Sequence, residues 1–181
     1  MTTIRRAVNR SVLECTVGDI AGQRDLDAVV NAANARLRPG GGVAGALHRA
    51  AGPGLEAECR PLAPIRVGQA VITGGHRLPN RWVVHVLGPV YGHDQPSDEL
   101  LATSYRNALR VAASKGVESI GFPSLSTGVF GYPMEEAAPI AIRTVVEELK
   151  GETPIRLVRF VLYDERAFAI HARAVESILA C

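Results

Sequence analysis

Apolar and β-branched residues gather along this chain in short runs, separated by polar stretches rich in Gly, Pro and Asp. Residues 11–17 and 28–32 are two such runs, divided by GDIAGQRDLD, whose glycines and aspartates predict a loop or a single helical turn between two early strands. Helical periodicity follows from Val43 to about Cys59, and Gly52-Pro53-Gly54 breaks it into two pieces. QAVITGG near 69–75 and RWVVHVLG near 81–88 predict two strands joined by a turn at His76 to Asn80, most simply as a hairpin. In the second half, Leu101, Tyr105, Ala108, Leu109 and Ala112 share one helix face, with Gly116 as a stop signal. ESIGFPSL predicts a further strand. Ala137, Ala138, Ala141, Ile142, Val145, Val146 and Leu149 then trace an apolar stripe of helical period, and Pro139 inside it leaves the helix start open. RLVRFVLYD predicts the last strand, and Phe168, Ala172, Val175, Ile178 and Leu179 mark the closing helix. The alternation predicts a three-layer α/β/α fold around a mixed, partly parallel sheet, antiparallel where the hairpin lies.

Composition narrows the class. The chain has 181 residues, 47% hydrophobic and 21% charged, which suits one compact domain over 1–181. Its 20 basic and 18 acidic residues give a net charge of +2 without any run of five or more like charges, so no specific nucleic-acid partner is expected. Cys15, Cys59 and Cys181 lie far apart and form no CxxC pair, which predicts reduced thiols and neither a zinc site nor a disulfide framework. The N-terminal MTTIRRAVNRSV has no apolar run behind its arginines, and no membrane span is present, so the expectation is a cytoplasmic monomer that needs no metal or cofactor.

The chemistry concentrates in four segments expected at or just beyond strand ends, where open α/β sheets hold their ligands. VVNAANARLRPGGGVAG, residues 29–45, ends a strand in an Asn-rich corner and opens a helix through Gly40, Gly41 and Gly42. Glycines let a backbone approach a ligand closely, and a helix start offers unpaired N–H groups to an anion, so a diphosphate fits this segment. A flexible glycine loop is the plainer alternative. Gly40, Gly42 and Gly45 also satisfy G-x-G-x-x-G, but NAANARLRP separates the first glycine from the strand, and no acidic residue stands about twenty positions on, which sets a dinucleotide fold aside.

FPSLSTGVFGYP, residues 122–133, is a second turn whose successive amides can form an anion-binding concavity, followed by another helix N-terminus after Pro133. It fits equally a tight turn that packs Phe130 and Tyr132 inward. Asp19, in Gly18-Asp19-Ile20, either caps a turn or accepts a hydrogen bond from an exocyclic amine such as that of adenine. Tyr163, at the last strand's end, either stacks on a base or packs in the core. His48 lies one helical turn beyond Ala44, on the face turned to the Gly loop or as a structural histidine, whereas His85, in an apolar strand, reads as a core residue. No P-loop, G-x-S-x-G elbow or HExxH motif is present.

GDI, VNAAN, GGGVAGALHRAAGP, ITGG, LGPVY and PSLSTGVFGYP occur in this order. Together they resemble a macrodomain of the MacroD type from about Cys15 to the final helix. The resemblance implies ADP-ribose binding, with removal of mono-ADP-ribose from acidic side chains of proteins or deacetylation of O-acetyl-ADP-ribose. It implies that Asp19 receives the adenine amine, the Ile20 N–H meets the ring, and Tyr163 lies against it. Gly41, Gly42 and Val43, with Ser126, Thr127, Gly128, Val129 and Phe130, would enclose the diphosphate, and Phe130 would pack on the distal ribose. Ala33 and Asn34 would border that ribose, and Asn34, Gly42 and His48 would be the catalytic set. MacroD-type hydrolases usually read GGGVDG, where this chain has Ala44. The GGGVAGAL version resembles coronavirus macrodomains, which are also associated with de-ADP-ribosylation. A hydrolase acting on mono-ADP-ribosylated proteins and a non-catalytic ADP-ribose reader are thus the two implied functions.

Overall fold

The computed structural model describes residues 2–180. Seven strands form one sheet: β1 (Thr3–Val8), β2 (Ser11–Val17), β3 (Ala28–Ala32), β4 (Ala70–Gly74), β5 (Trp82–Val86), β6 (Ser119–Phe122) and β7 (Leu157–Leu162). Five helices accompany them: α1 (Gly42–Ala51), α2 (Pro53–Cys59), α3 (Ser97–Ala113), α4 (Met134–Lys150) and α5 (Glu165–Leu179). The order across the sheet is β1-β2-β7-β6-β3-β5-β4. The five inner strands are parallel, and β1 and β4 close the edges antiparallel.

The inner strands are apolar on both sides, and each face buries its own core. One face packs Leu101 and Tyr105 of α3, Ile142 and Val145 of α4, and Ala174 and Val175 of α5 over Val30, Ile120 and Phe160. The other packs Leu47 of α1, Leu55 and Cys59 of α2, and Ile20 over Val29, Val83 and Val161. This is the expected three-layer α/β/α arrangement with a mixed sheet.

Two local features depart from the sequence pattern. β1 was not legible, because Ile4 and Val8 are its inward residues while Thr3, Arg5, Arg6 and Ala7 are exposed. The hairpin to β2 and the ion pair from Arg5 Nε to the buried Glu14 Oε1 (3.1 Å) hold it in place. Pro139 lies inside α4 rather than before it. The buried stripe from Ala137 to Leu149 carries the helix through the hydrogen bond that proline cannot make.

Parallel strands deliver their following loops to one edge. From β2 and β3 the chain turns to the α1–α2 face; from β5, β6 and β7 it turns to the α3–α4–α5 face. The path therefore reverses between the neighbours β2 and β7, and again between β6 and β3. Such reversals open a crevice beyond the strand ends, where α/β sheets take their ligands.

Candidate functional site

The crevice is built from loops that sequence placed far apart. After β2 come Asp19 and Ile20; after β7, Tyr163 and Asp164; after β6, the turn from Ser124 to Gly131; after β3, Ala33 to Gly41; after β5, Leu87 to Tyr91. Every sequence-predicted site residue except His48 belongs to one of these segments or to the first turn of α1.

At the β2/β7 reversal, Asp19 caps a short 3-10 turn, its Oδ1 accepting from the Ala21 N–H at 2.9 Å. The carboxylate retains lone pairs for a second donor. Gln23 donates to the Asp19 carbonyl at 2.9 Å and accepts from Arg159 at 3.0 Å. Arg159 in turn binds Asp25 through two hydrogen bonds and the buried Glu14 through one, at 2.7 Å. Its hydrogen bonds to Asp25 and Glu14 raise its pKa, and the same contact holds Asp25 below the usual carboxylate range. Tyr163 is 93% exposed, so its ring lies outside the core and free to face a planar guest. Ile20 beside them is buried.

At the β6/β3 reversal two glycine-bearing turns follow adjacent strands. α1 starts with no side-chain cap and no acidic residue in its first turn, so its terminal N–H groups and positive dipole end are left for an outside anion. The second helix start expected after Pro133 differs: α4 carries Glu135 and Glu136 in its first turn, which already answer its dipole. The amides of the 126–130 turn remain the anion donors on that side.

Side-chain space distinguishes two kinds of glycine here. A Cβ at Gly45 would collide with the Gly40 carbonyl, so the backbone requires that glycine, and one at Gly88 would displace the Ser126 hydroxyl from its present position. A Cβ at Gly41 or Gly128 would meet no protein atom, and neither residue occupies the left-handed region, so packing demands no glycine there. These two glycines face open space in the crevice.

The turn after β6 is anchored by bonds from Tyr132 N–H to the Ser126 carbonyl (2.9 Å) and from Tyr91 N–H to the Phe130 carbonyl (2.9 Å). Ser126 has φ of 66°, a strained conformation for a non-glycine residue, and its buried hydroxyl lacks a hydrogen-bond partner among the described residues. Thr127 donates to the Ser124 carbonyl at 3.0 Å, Gly128 is exposed, and Val129 is fully exposed. Phe130 and Val43 are half-buried against the α1–α2 core, while Tyr132 is buried in the other. Of the two rings the inward-packing reading named, Tyr132 follows it and Phe130 stays at the crevice.

Ala33 is buried, its N–H bonded to the Val86 carbonyl at 2.9 Å. Asn34 clamps its own loop: Oδ1 accepts from the Arg38 N–H (3.0 Å) and Nδ2 donates to the Arg38 carbonyl (2.9 Å). A second N–H and a second lone pair stay available on that amide. Ala44 is buried in the first turn of α1.

His48 is buried on α1, one helical turn beyond Ala44. It is 6% exposed, both ring nitrogens lack partners among the described residues, and burial lowers its pKa. Next to it, His85 is the hydrogen-bonded core residue that its apolar strand predicts. Asn31 Nδ2 can only donate, at 3.0 Å to His85 Nδ1, so His85 Nε2 carries the proton and donates to Thr73 Oγ1 at 2.9 Å. Burial drives the His85 pKa down to about 3. The thiols of Cys15 and Cys59 are free and buried, and burial raises their pKa values to about 12 and about 11. Cys181 lies outside the described residues. Among the described residues no cluster of three or more His, Cys, Asp or Glu side chains is placed to hold a metal ion, and no helix is long and apolar enough to cross a membrane.

Sequence reasoning gave no role to the loop after β5. Gly88 packs on Ser126, and Tyr91 holds Phe130 while remaining 42% exposed at the rim. The signal was present in LGPVY, a Gly-Pro break directly after an apolar strand.

Comparison with known proteins agrees with this geometry. The family model described as Macro domain matches residues 30–141. An O-acetyl-ADP-ribose deacetylase of Klebsiella pneumoniae is 46% identical over 169 residues, 91% of this chain and 96% of the relative. The solved Oceanobacillus iheyensis macrodomain with ADP superposes with a TM-score of 0.94 at 39% identity, covering 98% of this chain and 97% of that one. The Trypanosoma brucei macrodomain in complex with ADP-ribose gives a TM-score of 0.84 at 36% identity, covering 90% of this chain and 68% of that one. With the strand order, the paired loops and the family match in agreement, this chain belongs to the macro domain family.

Proposed function

We propose that this protein binds ADP-ribose and hydrolyses its distal-ribose adducts, releasing mono-ADP-ribose from acidic side chains of proteins and acetate from O-acetyl-ADP-ribose. The observation that carries this reading is the pair of turns that follow the neighbouring strands β3 and β6, each with a glycine that no protein contact demands. One turn begins an uncapped helix, and the other offers successive amides; a diphosphate is the anion that spans both. The relatives support the same ligand, since the Trypanosoma brucei structure is a complex with ADP-ribose and the Klebsiella relative is named a deacetylase of its acetyl ester.

In this reading Asp19 accepts the adenine amine, the Ile20 N–H meets the ring, and Tyr163 covers it. Gly41, Gly42 and Val43 take one side of the diphosphate and Ser126 to Phe130 the other, the unpartnered Ser126 hydroxyl facing an acceptor at last. Ala33 and Asn34 border the distal ribose, with Phe130 packed on it. A water held between the α-phosphate and the Gly42 turn attacks the anomeric carbon as its bond to the carboxylate oxygen breaks. One water proton passes through the phosphate to the leaving carboxylate, and the ribose gains the hydroxyl. Positive charge develops on the sugar, so fixed dipoles and proximity supply most of the acceleration, with Asn34 orienting the ring. In the acetyl ester the same water adds to the acyl carbon, the bond from that carbon to the ribose oxygen breaks, a water proton restores the ribose hydroxyl, and the acyl group is released as acetate. His48 backs the Gly loop from the interior.

Ala44 favours the second reading, a reader that binds ADP-ribose and leaves its adducts intact. General-base assistance contributes about 10²- to 10⁴-fold, so a missing carboxylate slows a hydrolase without abolishing it. Incubation with a glutamate-linked mono-ADP-ribosylated protein and, separately, with O-acetyl-ADP-ribose decides between them. Release of label or acetate above the uncatalysed rate is expected; tight binding with no release selects the reader.

A further inference from the structure

Beside the distal end of the crevice lies a depression of about 180 Å³, lined by Arg36, Leu37, Arg38, Glu56, Arg60 and Ala63. Its three arginines come from two segments, the loop after β3 and the end of α2, which explains why no basic run announces them in the sequence. All three are exposed, and none has a guanidinium hydrogen bond or ion pair among the described residues. By contrast, Arg110 is held by Glu148 at 3.1 Å in a larger depression at the opposite edge of the sheet, and the mostly buried Arg159 by Glu14 and Asp25.

The patch is fixed to the site rather than floating near it. Asn34 grips the Arg38 backbone through both side-chain groups, Leu37 is buried at φ of 56°, and the Ile65 N–H ties the loop to the segment after α2 through the Ala35 carbonyl at 2.9 Å. Asn34 stands, in the functional reading above, at the distal ribose. Whatever is attached to that sugar leaves the crevice beside the arginines.

We propose that Arg36, Arg38 and Arg60 form a docking surface for the polypeptide that carries the modification, selecting acidic residues that flank the ADP-ribosylated side chain. This rests on the functional reading given above. Three planar donors without internal partners match carboxylates, each able to take a bidentate contact. The depression is too small to track a phosphate backbone, and it includes Glu56, which opposes a polyanion laid across it. Charge complementarity at such an exposed rim sets which partner docks more than how tightly the sugar is held.

The test uses the full chain and its Arg36→Glu/Arg60→Glu variant, both positions exposed and neither among the residues assigned to ADP-ribose. Affinities are measured by competition with a fluorescent ADP-ribose probe. The competitors are a peptide mono-ADP-ribosylated on one glutamate with Asp and Glu flanks, the same modified peptide with Asn and Gln flanks, and free ADP-ribose. The variant should lose on the order of tenfold for the acid-flanked peptide, a loss that added salt also produces in the wild type. Its affinities for the neutral-flanked peptide and for ADP-ribose should stay within about twofold, since each contacts only the unaltered crevice. Glu56→Gln should shift acid-flanked binding in the opposite direction. Equal losses for both peptides, or no loss for either while ADP-ribose binds normally, overturn this surface alone. An unmodified RNA oligonucleotide that binds the wild type and not the variant, with acid-flanked binding intact, assigns the arginines to nucleic acid and also overturns it. If the wild type binds no ADP-ribose, the functional reading falls and this surface with it.

Discussion

Gly128 separates what the fold needs from what a ligand needs. A side chain there would meet no protein atom and face no left-handed penalty, so Gly128→Val should leave the urea midpoint within about 0.5 kcal/mol of wild type. Its affinity for ADP-ribose should nevertheless fall by on the order of tenfold or more, because the new methyls occupy the space assigned to the diphosphate. Unchanged affinity in a folded variant removes this turn from the site. Ala44→Asp asks the complementary question about rate. Position 44 is the third residue of α1, where a carboxylate is favoured by the helix dipole, so the substitution should be tolerated and should raise turnover of a mono-ADP-ribosylated protein at least about tenfold. Turnover that stays flat with ADP-ribose binding intact counts against a base-limited hydrolase. Asp19→Ala should weaken ADP-ribose binding in calorimetry; equal affinity takes that carboxylate out of the adenine end.

Between elements, the bond from Arg159 on β7 to Glu14 on β2 is the polar contact with the most at stake. Glu14 is only 4% exposed, and without Arg159 it keeps Arg5 alone, whose side chain is mostly in water. Arg159→Met should therefore cost about 3–5 kcal/mol in urea denaturation, and a cost below about 1 kcal/mol would show that Glu14 is not held this way. The α1–α2 face supplies a pH prediction. His48 and His85 sit under those helices with pKa values lowered from 6.5 by burial, to about 3 for His85. The unfolded chain takes up protons near pH 6.5 that the native state refuses, so stability is full above about 6.5 and falls as pH drops toward 3. Each such histidine gives a slope of up to about 1.4 kcal/mol per pH unit. A urea midpoint flat from pH 7 to 5 would contradict neutral burial. Helices and inner strands were legible because their buried faces repeat at 3.6 residues or run continuously apolar. β1 was not, since an edge strand held by a hairpin and an arginine–glutamate pair needs little apolar pattern of its own.

In the molecule as a whole, the site follows from chain direction. Five parallel strands send their loops to one edge, and reversals between β2 and β7 and between β6 and β3 keep that edge open. The loop residues were readable because glycine, Asn and Asp clusters directly after apolar runs have few uses. What sequence withheld was which strands become neighbours: it does not show that the turns holding residues 41 and 128 follow adjacent strands, that Gly88 packs on Ser126, or that Arg36 and Arg60 line one depression. For His48, helical spacing gives a face but not how deeply the helix packs, and the burial of its ring was not readable. The account depends on a single diphosphate bridging the two turns, and isothermal titration with ADP-ribose beside AMP addresses that most directly. ADP-ribose should bind at least about tenfold tighter than AMP, which reaches the adenine end with one phosphate and cannot span both turns. Equal affinity for the two, or none for ADP-ribose, would contradict it.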